Sequence, residues 1–227
     1  MFIRKDNTLK WKWIIIAGLI TLALVFMGIF GGDKFLYHVI HNPNCNPWVY
    51  IPSTLCSICV LFGKIFSAKA WIMFTAFSVL AFFIYKAVRN ENDFRYAFVK
   101  IKNSYVFYIF CSVVMAVCIT GGLKFLIGRS RPMIYEALNT MMFVPGTSEH
   151  MFNSMPSGHT AASFAGLVMI GMLFPRIKWA TWILAIAIGL SRLYIGAHWT
   201  GDVILGAFIG MICADVTKAV LKKINSK

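Results

Sequence analysis

Six stretches of this chain are apolar enough and long enough to cross a bilayer: Trp13 to Phe30, Ala70 to Val88, Tyr105 to Leu123, Thr160 to Phe174, Trp179 to Ile195 and Val203 to Leu221. A helix rises about 1.5 Å per residue, so about 20 apolar residues match the hydrocarbon layer. Inside that layer the backbone finds no water and must satisfy its own N–H and C=O groups, which a helix does. The expected fold is therefore all-α, a polytopic membrane helix bundle with six transmembrane helices. With 59% hydrophobic residues and a mean hydropathy of +0.73, the chain is too apolar for an ordinary soluble domain. A further segment, Trp48 to Phe66, is interrupted by Pro52, Ser53, Thr54, Ser57 and Lys64. It reads as an interfacial or re-entrant helix before the second span.

The net charge of +14 comes from 22 Lys+Arg against 8 Asp+Glu. In a soluble protein such an excess points to nucleic acid. Here the basic residues cluster at the ends of apolar runs, where membrane topology and anionic headgroups account for them. Six spans put 15 basic residues on one side: Arg4, Lys5, Lys10, Lys12, Lys86, Arg89, Arg95, Lys100, Lys102, Arg176, Lys178, Lys218, Lys222, Lys223 and Lys227. The other side receives seven: Lys34, Lys64, Lys69, Lys124, Arg129, Arg131 and Arg192. The positive-inside rule then places both termini in the cytoplasm. A seventh span would split the charge-rich loops between the two sides.

The first apolar run is longer than a usual signal core, and Phe30-Gly31-Gly32 is a poor cleavage site, so it reads as a retained anchor. Most of the six cysteines (Cys45, Cys56, Cys59, Cys111, Cys118 and Cys213) lie in apolar runs. Cys56-x-x-Cys59 has no second pair beside it and reads as small apolar filler, with no disulfide framework implied. Gly206-x-x-x-Gly210 reads as a helix-packing seam.

Three short strings carry the chemistry. The first is Lys124, six residues, then Arg131-Pro132. The second is Pro156-Ser157-Gly158-His159. The third is Ser191-Arg192, five residues, His198, three residues, Asp202. Six spans bring all three to one membrane face, at the depth of a lipid headgroup. A lone Lys or Arg at a span end is ordinarily a snorkelling residue. Three fixed cations beside two histidines and a carboxylate are a costly set, and such sets are functional. Lys124, Arg131 and Arg192 supply charge for a phosphate, the arginines with forked donors. Ser157 and Gly158 precede a helix start, where backbone N–H groups favour an anion. Pro132 is expected to stop the helix after Arg131.

His198 and Asp202, at i and i+4, share a face if the stretch is helical. A carboxylate on one ring nitrogen makes the other the better nucleophile. His159 remains as the general acid. His38, His41 and His150 have no evident partner, and no metal-ligand spacing is present. The loop Met133 to Met155 has a turn at Pro145-Gly146 and is bounded by the first two strings. It is expected to arch over the site and to read the lipid headgroup with Tyr135, Glu136, Asn139, Glu149, His150 and Asn153.

KFLIGRSRP, PSGH and SRLYIGAHWTGD resemble the three signature motifs of the type 2 phosphatidic acid phosphatase family, which also includes glucose-6-phosphatase and the vanadium haloperoxidases. Every motif position matches, in the family's order, and the resemblance covers roughly residues 70 to 221. It implies that His198 is the nucleophile and forms a phosphohistidine, that Asp202 orients it and that His159 is the acid. It implies that Lys124, Arg131, Ser157, Gly158 and Arg192 hold the phosphoryl oxygens, with no metal and no cofactor. Members with six spans act on phosphorylated lipids, and the short length resembles a bacterial member.

The expectation is one integral membrane domain over residues 1–227. Residues 1–69 form an anchor and interfacial segment ahead of a catalytic core at about 70–221. Its partners are the bilayer and a phosphorylated lipid, with no nucleic acid, and the oligomeric state stays open. It removes phosphate from a lipid headgroup at the outer face of the cytoplasmic membrane. Lipid A, undecaprenyl diphosphate, phosphatidylglycerol phosphate and phosphatidic acid all remain open, because the strings handle only the phosphate. A phosphotransferase passing the group to a second lipid would carry identical motifs. A protein that merely binds anionic lipid would need neither histidine.

Overall fold

The computed structural model describes residues 2–4, 6, 8–45, 53–88 and 104–225. The first part of the expected interfacial segment, residues 48–52, lies outside them, as do Lys5, Arg89, Arg95, Lys100, Lys102 and Lys227 of the charge count. Apart from two isolated bridging pairs, Ile3–Leu9 and Arg129–Phe143, the regular structure among the described residues is helical. The helices are α1 (Trp11–Met27), α2 (Asp33–Ile40), α3 (Thr54–Ile65), α4 (Ala68–Val88), α5 (Tyr105–Ile127), α6 (Pro132–Leu138), α7 (Gly158–Leu173), α8 (Lys178–Tyr194) and α9 (Thr200–Asn225). Single turns of tighter or wider helix lie between some of them.

Among the described residues, four stretches are long and apolar enough to cross a membrane: Trp11–Ile40, Ala68–Tyr85, Tyr105–Ile127 and Thr200–Asn225. The expected fourth and fifth spans are shorter helices, of 16 residues in α7 and 17 in α8. Pro175 lies in the single helical turn between them, which separates α7 from α8. At 12 residues, α3 is also short. Its first turn is capped by Ser53, whose side chain accepts from the Cys56 N–H at 3.3 Å. Ser104 caps α5 through Phe107 at 3.2 Å, and Ser157 caps α7 through Thr160. Each cap satisfies an N–H that the first turn leaves open.

The centre of the bundle is α7, packed against α9, α5 and α8. Its Ala161, Ala162 and Ala165 are fully buried, and small side chains let neighbouring backbones close in. The Gly206-x-x-x-Gly210 seam does this from α9. A Cβ at Gly206 would lie 2.6 Å from the Ser157 carbonyl oxygen, and one at Gly210 would lie 2.7 Å from the Phe164 Cβ. Buried Ser112 is paired, its hydroxyl donating to the Ala165 carbonyl at 3.0 Å. The outward faces of α1 and α4 are the reverse: Leu19, Phe26, Phe74 and Phe77 are exposed. Lipid is the solvent that such faces fit.

The N-terminal helix does not end at Phe30. It breaks there, with Gly31 at φ 133°, and restarts as α2. A glycine at that φ carries no Cβ penalty. The break turns Asp33 inward, where it is 1% exposed. Two further expectations are corrected. The helix before Arg131 is stopped by Gly128, a left-handed cap whose N–H returns to the Lys124 carbonyl, while Pro132 opens α6. Pro has no N–H to lose at a first helical position. Cys45 and Cys56 form a disulfide with Cα atoms 5.6 Å apart, and only Cys59 of the C-x-x-C pair is a free, buried thiol.

Candidate active site

The three strings meet at one end of the bundle. Asp202 is the third residue of α9, and its Oδ2 accepts from the Trp199 backbone N–H at 3.0 Å. This is the reach-back of a capping box, made here by an aspartate. His198 stands just ahead of the helix rather than on it. The i, i+4 contact nevertheless forms, with His198 Nδ1 3.6 Å from Asp202 Oδ2. That separation is longer than a good hydrogen bond, and such contacts tighten when substrate binds. Ser154 completes the group. Its hydroxyl donates to Asp202 Oδ2 at 2.5 Å and lies 3.5 Å from His198 Nδ1.

Asp202 is held from its other oxygen by Arg129, whose Nη1 donates to Oδ1 at 2.7 Å. Arg129 Nη2 donates to Asp33 Oδ2, also at 2.7 Å, and Asp33 Oδ1 accepts from the Gly201 N–H at 2.8 Å. All three charged groups are buried. One guanidinium thus bridges two carboxylates, one from the N-terminal helix and one from the third string. Arg129 Nε is buried without a partner among the described residues. The guanidinium carbon sits 5.4 Å from the Trp199 ring, a cation–π contact.

Burial first, and then the Arg131 charge, hold the His198 imidazole well below its ordinary pKa, with Asp202 opposing. The ring is therefore neutral near pH 7 and carries a free lone pair.

Lys124 and Arg131 converge on one backbone carbonyl. Lys124 Nζ donates to the Asn153 oxygen, and Arg131 Nη2 lies 3.5 Å from it. Arg131 also donates to the Ala197 carbonyl, beside His198, at 2.9 Å and to the His150 carbonyl at 2.9 Å. Both cations are electrostatic neighbours of both His159 and His198. Arg192 donates to the Cys59 carbonyl on α3. His159 Nε2 lies 3.2 Å from the Gly63 carbonyl of the same helix. Ser157 is wholly buried: its N–H donates to the Asp202 carbonyl at 2.9 Å, and its hydroxyl oxygen accepts from Thr160. Gly158 is the first residue of α7, beside the Lys124 side chain at 3.7 Å from its notional Cβ. Folding thus brings Lys124, Arg131 and His198 into one cluster, and sets His159 and Arg192 against α3.

Sequence reasoning missed four participants. Arg129 lies inside the six-residue gap of the first string and counts there only as one more basic residue. Asp33 is 96 positions from Arg129 and carries no local signal. Ser154 stands two residues before the second string. The α3 helix, expected as an interfacial element, walls the site with its carbonyls. His41, expected to lack a partner, has one: its Nε2 lies 3.5 Å from Glu136 Oε1.

What fold and site define is an integral membrane helix bundle with a buried imidazole–carboxylate pair beneath a cluster of fixed cations. The chain belongs to the PAP2 superfamily, whose profile matches residues 104–226. It is 34% identical over 153 residues to the lipid A 1-phosphatase of Rhizobium johnstonii, a match covering 64% of this chain and 59% of that protein. It is 31% identical over 101 residues to the undecaprenyl-diphosphatase of Sulfolobus acidocaldarius, covering 44% of this chain and 47% of that protein. The chain thus spans 59% and 62% of the two Rhizobium lipid A 1-phosphatases that it matches. The crystal structure of Aquifex aeolicus LpxE is similar with a TM-score of 0.47 at 20% identity, covering 81% of this chain and 93% of that one. That likeness is too low to bear on the site.

Proposed function

We propose that this protein is a metal-independent phosphatase of membrane lipid phosphates that works through a phosphohistidine. The observation that carries the reading is His198: a buried, neutral imidazole with Asp202 at one nitrogen and Arg131 beside it. With Nδ1 turned to Asp202, Nε2 is the attacking atom. Its lone pair forms the P–N bond as the P–O bond to the lipid breaks. Lys124, Arg131 and Arg192 balance the charge on the phosphoryl oxygens, the term that dominates phosphoryl transfer. The N–H groups at Gly158 and His159 open a helix and favour the same anion. His159, protonated once the anionic phosphate is bound beside it, gives that proton to the departing lipid oxygen. It then takes a proton from the water that attacks phosphorus, breaking the P–N bond and releasing phosphate. Asp202 keeps its proton-free form throughout, fixed by Arg129, Ser154 and the Trp199 N–H.

The same reading has six spans, both termini in the cytoplasm, and the site at the outer face of the cytoplasmic membrane. The charge asymmetry supports it. So does the Cys45–Cys56 disulfide, since Cys45 lines the cavity beside Arg131 and Arg192 and disulfides persist in oxidising compartments. Lipid A 1-phosphate and undecaprenyl diphosphate are the substrates that the relatives' names put forward, with phosphatidylglycerol phosphate and phosphatidic acid as further candidates.

The test is phosphate release from a panel of these lipids in detergent micelles, with His198→Ala as control. The wild type should release phosphate from at least one, and the variant should lose at least about 1,000-fold, because it lacks the imidazole that Asp202 orients. Activity of the variant within tenfold of wild type would overturn the assignment. Labelled phosphate appearing on an added acceptor lipid, in place of free phosphate, would make the protein a phosphotransferase.

A further inference from the structure

A cavity of about 220 Å³ opens beside the phosphate cluster, and the mechanism above leaves it unused. Arg131 and Arg192 line it, and Tyr37, His41, Glu136 and His150 are the other polar side chains of a lining that is otherwise largely apolar. Because Arg131 is shared with the cluster, whatever is bonded to the phosphate has this space to enter.

The lining is organised. Tyr37 donates its hydroxyl to Glu136 Oε1 at 2.6 Å, and His41 Nε2 lies 3.5 Å from the same oxygen. The His41 ring stacks on Tyr37 with centroids 4.6 Å apart, and its Nδ1 lies 3.1 Å from the Tyr194 carbonyl. The other face of this layer is Gly196, two residues before His198. A Cβ there would sit 2.7 Å from His41 Cε1, so the imidazole rests directly on the backbone that leads to the nucleophile. Glu136 Oε2 has no protein partner among the described residues, and the Glu136 side chain is half exposed. The His150 side chain likewise has no hydrogen-bond partner among them. The Arg131 charge, first, and burial hold that imidazole below its ordinary pKa, so it offers a donor and an acceptor and no positive charge.

These groups discriminate between two kinds of headgroup. A ring bearing hydroxyls finds a carboxylate acceptor, a neutral imidazole and a phenol. Arg131 and Arg192 also line this space, but they already serve the scissile phosphate, so a second phosphate, as in a polyprenyl diphosphate, would add its charge beside the Glu136 carboxylate with no further cation to balance it. The volume fits a single ring; sites for larger ligands run to about 300–1,000 Å³. We propose that this cavity is a headgroup subsite for a hydroxylated sugar ring esterified to the scissile phosphate, with Glu136 as the residue that selects it. The proposal rests on the phosphatase reading and names the substrate class for it.

The experiment compares wild type, Glu136→Gln and Glu136→Ala on two lipids in the same micelles. One carries its phosphate on a hexosamine ring; the other is a polyprenyl diphosphate. Each rate is divided by that on a short alkyl phosphate from the same preparation, which corrects for loss of folded protein. Wild type should prefer the sugar phosphate. In Glu136→Ala the ratio of kcat/KM values, sugar over diphosphate, should fall at least about tenfold, the effect of losing a hydrogen bond to a charged group. Glu136→Gln should lower the ratio mainly by raising turnover of the diphosphate. An unchanged ratio, or a wild type that prefers the diphosphate, overturns the subsite and leaves the phosphatase standing. A wild type that releases phosphate from neither lipid, nor from the wider panel, overturns both.

Discussion

Arg129→Met is the most demanding test of the site's electrostatics. Arg129 is fully buried and sits 2.7 Å from both Asp33 and Asp202. Methionine fills most of the stem's volume but leaves two buried carboxylates without their shared cation. Removing one partner of a buried ion pair costs about 3–5 kcal/mol, chiefly the penalty for the charge left behind. Two stranded charges put this case at the upper end. For a chain of this size, 1 kcal/mol corresponds to roughly 2–4 °C, so the expected loss is about 10 °C or more in Tm. Removing one of the stranded charges should restore part of it. Arg129→Met/Asp33→Asn should be more stable than Arg129→Met by about 2 kcal/mol, a coupling within the range seen for groups in one network. Activity follows a different course. Asp202 loses its anchor in both variants, so kcat should fall about 100-fold in both while KM stays within threefold. Tryptophan fluorescence on heating in detergent or nanodiscs reads the first effect, and phosphate release reads the second. A single variant within 2 °C of wild type, or a double variant less stable than the single, would refute the account of Arg129 as the counter-ion of two carboxylates.

Two further predictions concern pH and topology. Folded His198 stays neutral below the ordinary imidazole pKa of about 6.5, whereas the unfolded ring takes up a proton there. Its depressed folded pKa therefore gives stability that is present above about pH 6.5 and lost as pH falls toward the folded value, at up to about 1.4 kcal/mol per unit. The stability difference between wild type and His198→Asn, measured by thermal unfolding from pH 7 to pH 5.5, should shift against the wild type; a flat difference would show that the ring takes up its proton in the fold as it does in the unfolded chain, and a shift in favour of the wild type that it is already charged in the fold. A reporter fused after Lys227 should report the cytoplasm and one inserted at Gly146 the opposite side, and a cytoplasmic Gly146 loop would reverse the leaflet on which the substrate is sought.

The bundle is legible in the sequence because its signals are local. Apolar runs mark the helices, and Gly206-x-x-x-Gly210 marks the seam against α7. The motif strings identify the family because spacing in the chain is what they record. The proximity of Asp202 to His198 is legible for the same reason, although the contact is made by a residue ahead of the helix. What is not legible is long-range. Nothing near Asp33 shows that Gly31 turns it toward Arg129, and Gly31-Gly32 reads equally well as the end of a span. Cys56-x-x-Cys59 draws attention to a neighbour three positions away in the motif, while the actual partner, Cys45, lies 11 residues upstream. Gly128 and Pro132 exchange roles at the end of α5 because either residue can stop a helix. Only the backbone shows which one does, through the left-handed cap at Gly128.

The reach of Asp33 into the site sets a boundary that family resemblance does not mark. The segment matching the PAP2 superfamily begins at residue 104, yet the carboxylate that shares Arg129 with Asp202 comes from residue 33. The unit of chemistry is longer than the unit of resemblance. A chimera that keeps residues 104–226 and borrows its leading helices from a relative would inherit the signature strings intact. It would leave Arg129 with one carboxylate where it now has two, unless the donor also supplies a broken helix and an acid just after the break. Grafting the Gly28–Asp33 turn together with Arg129, as one transplantable piece, is the rule that follows for anyone exchanging parts within this family.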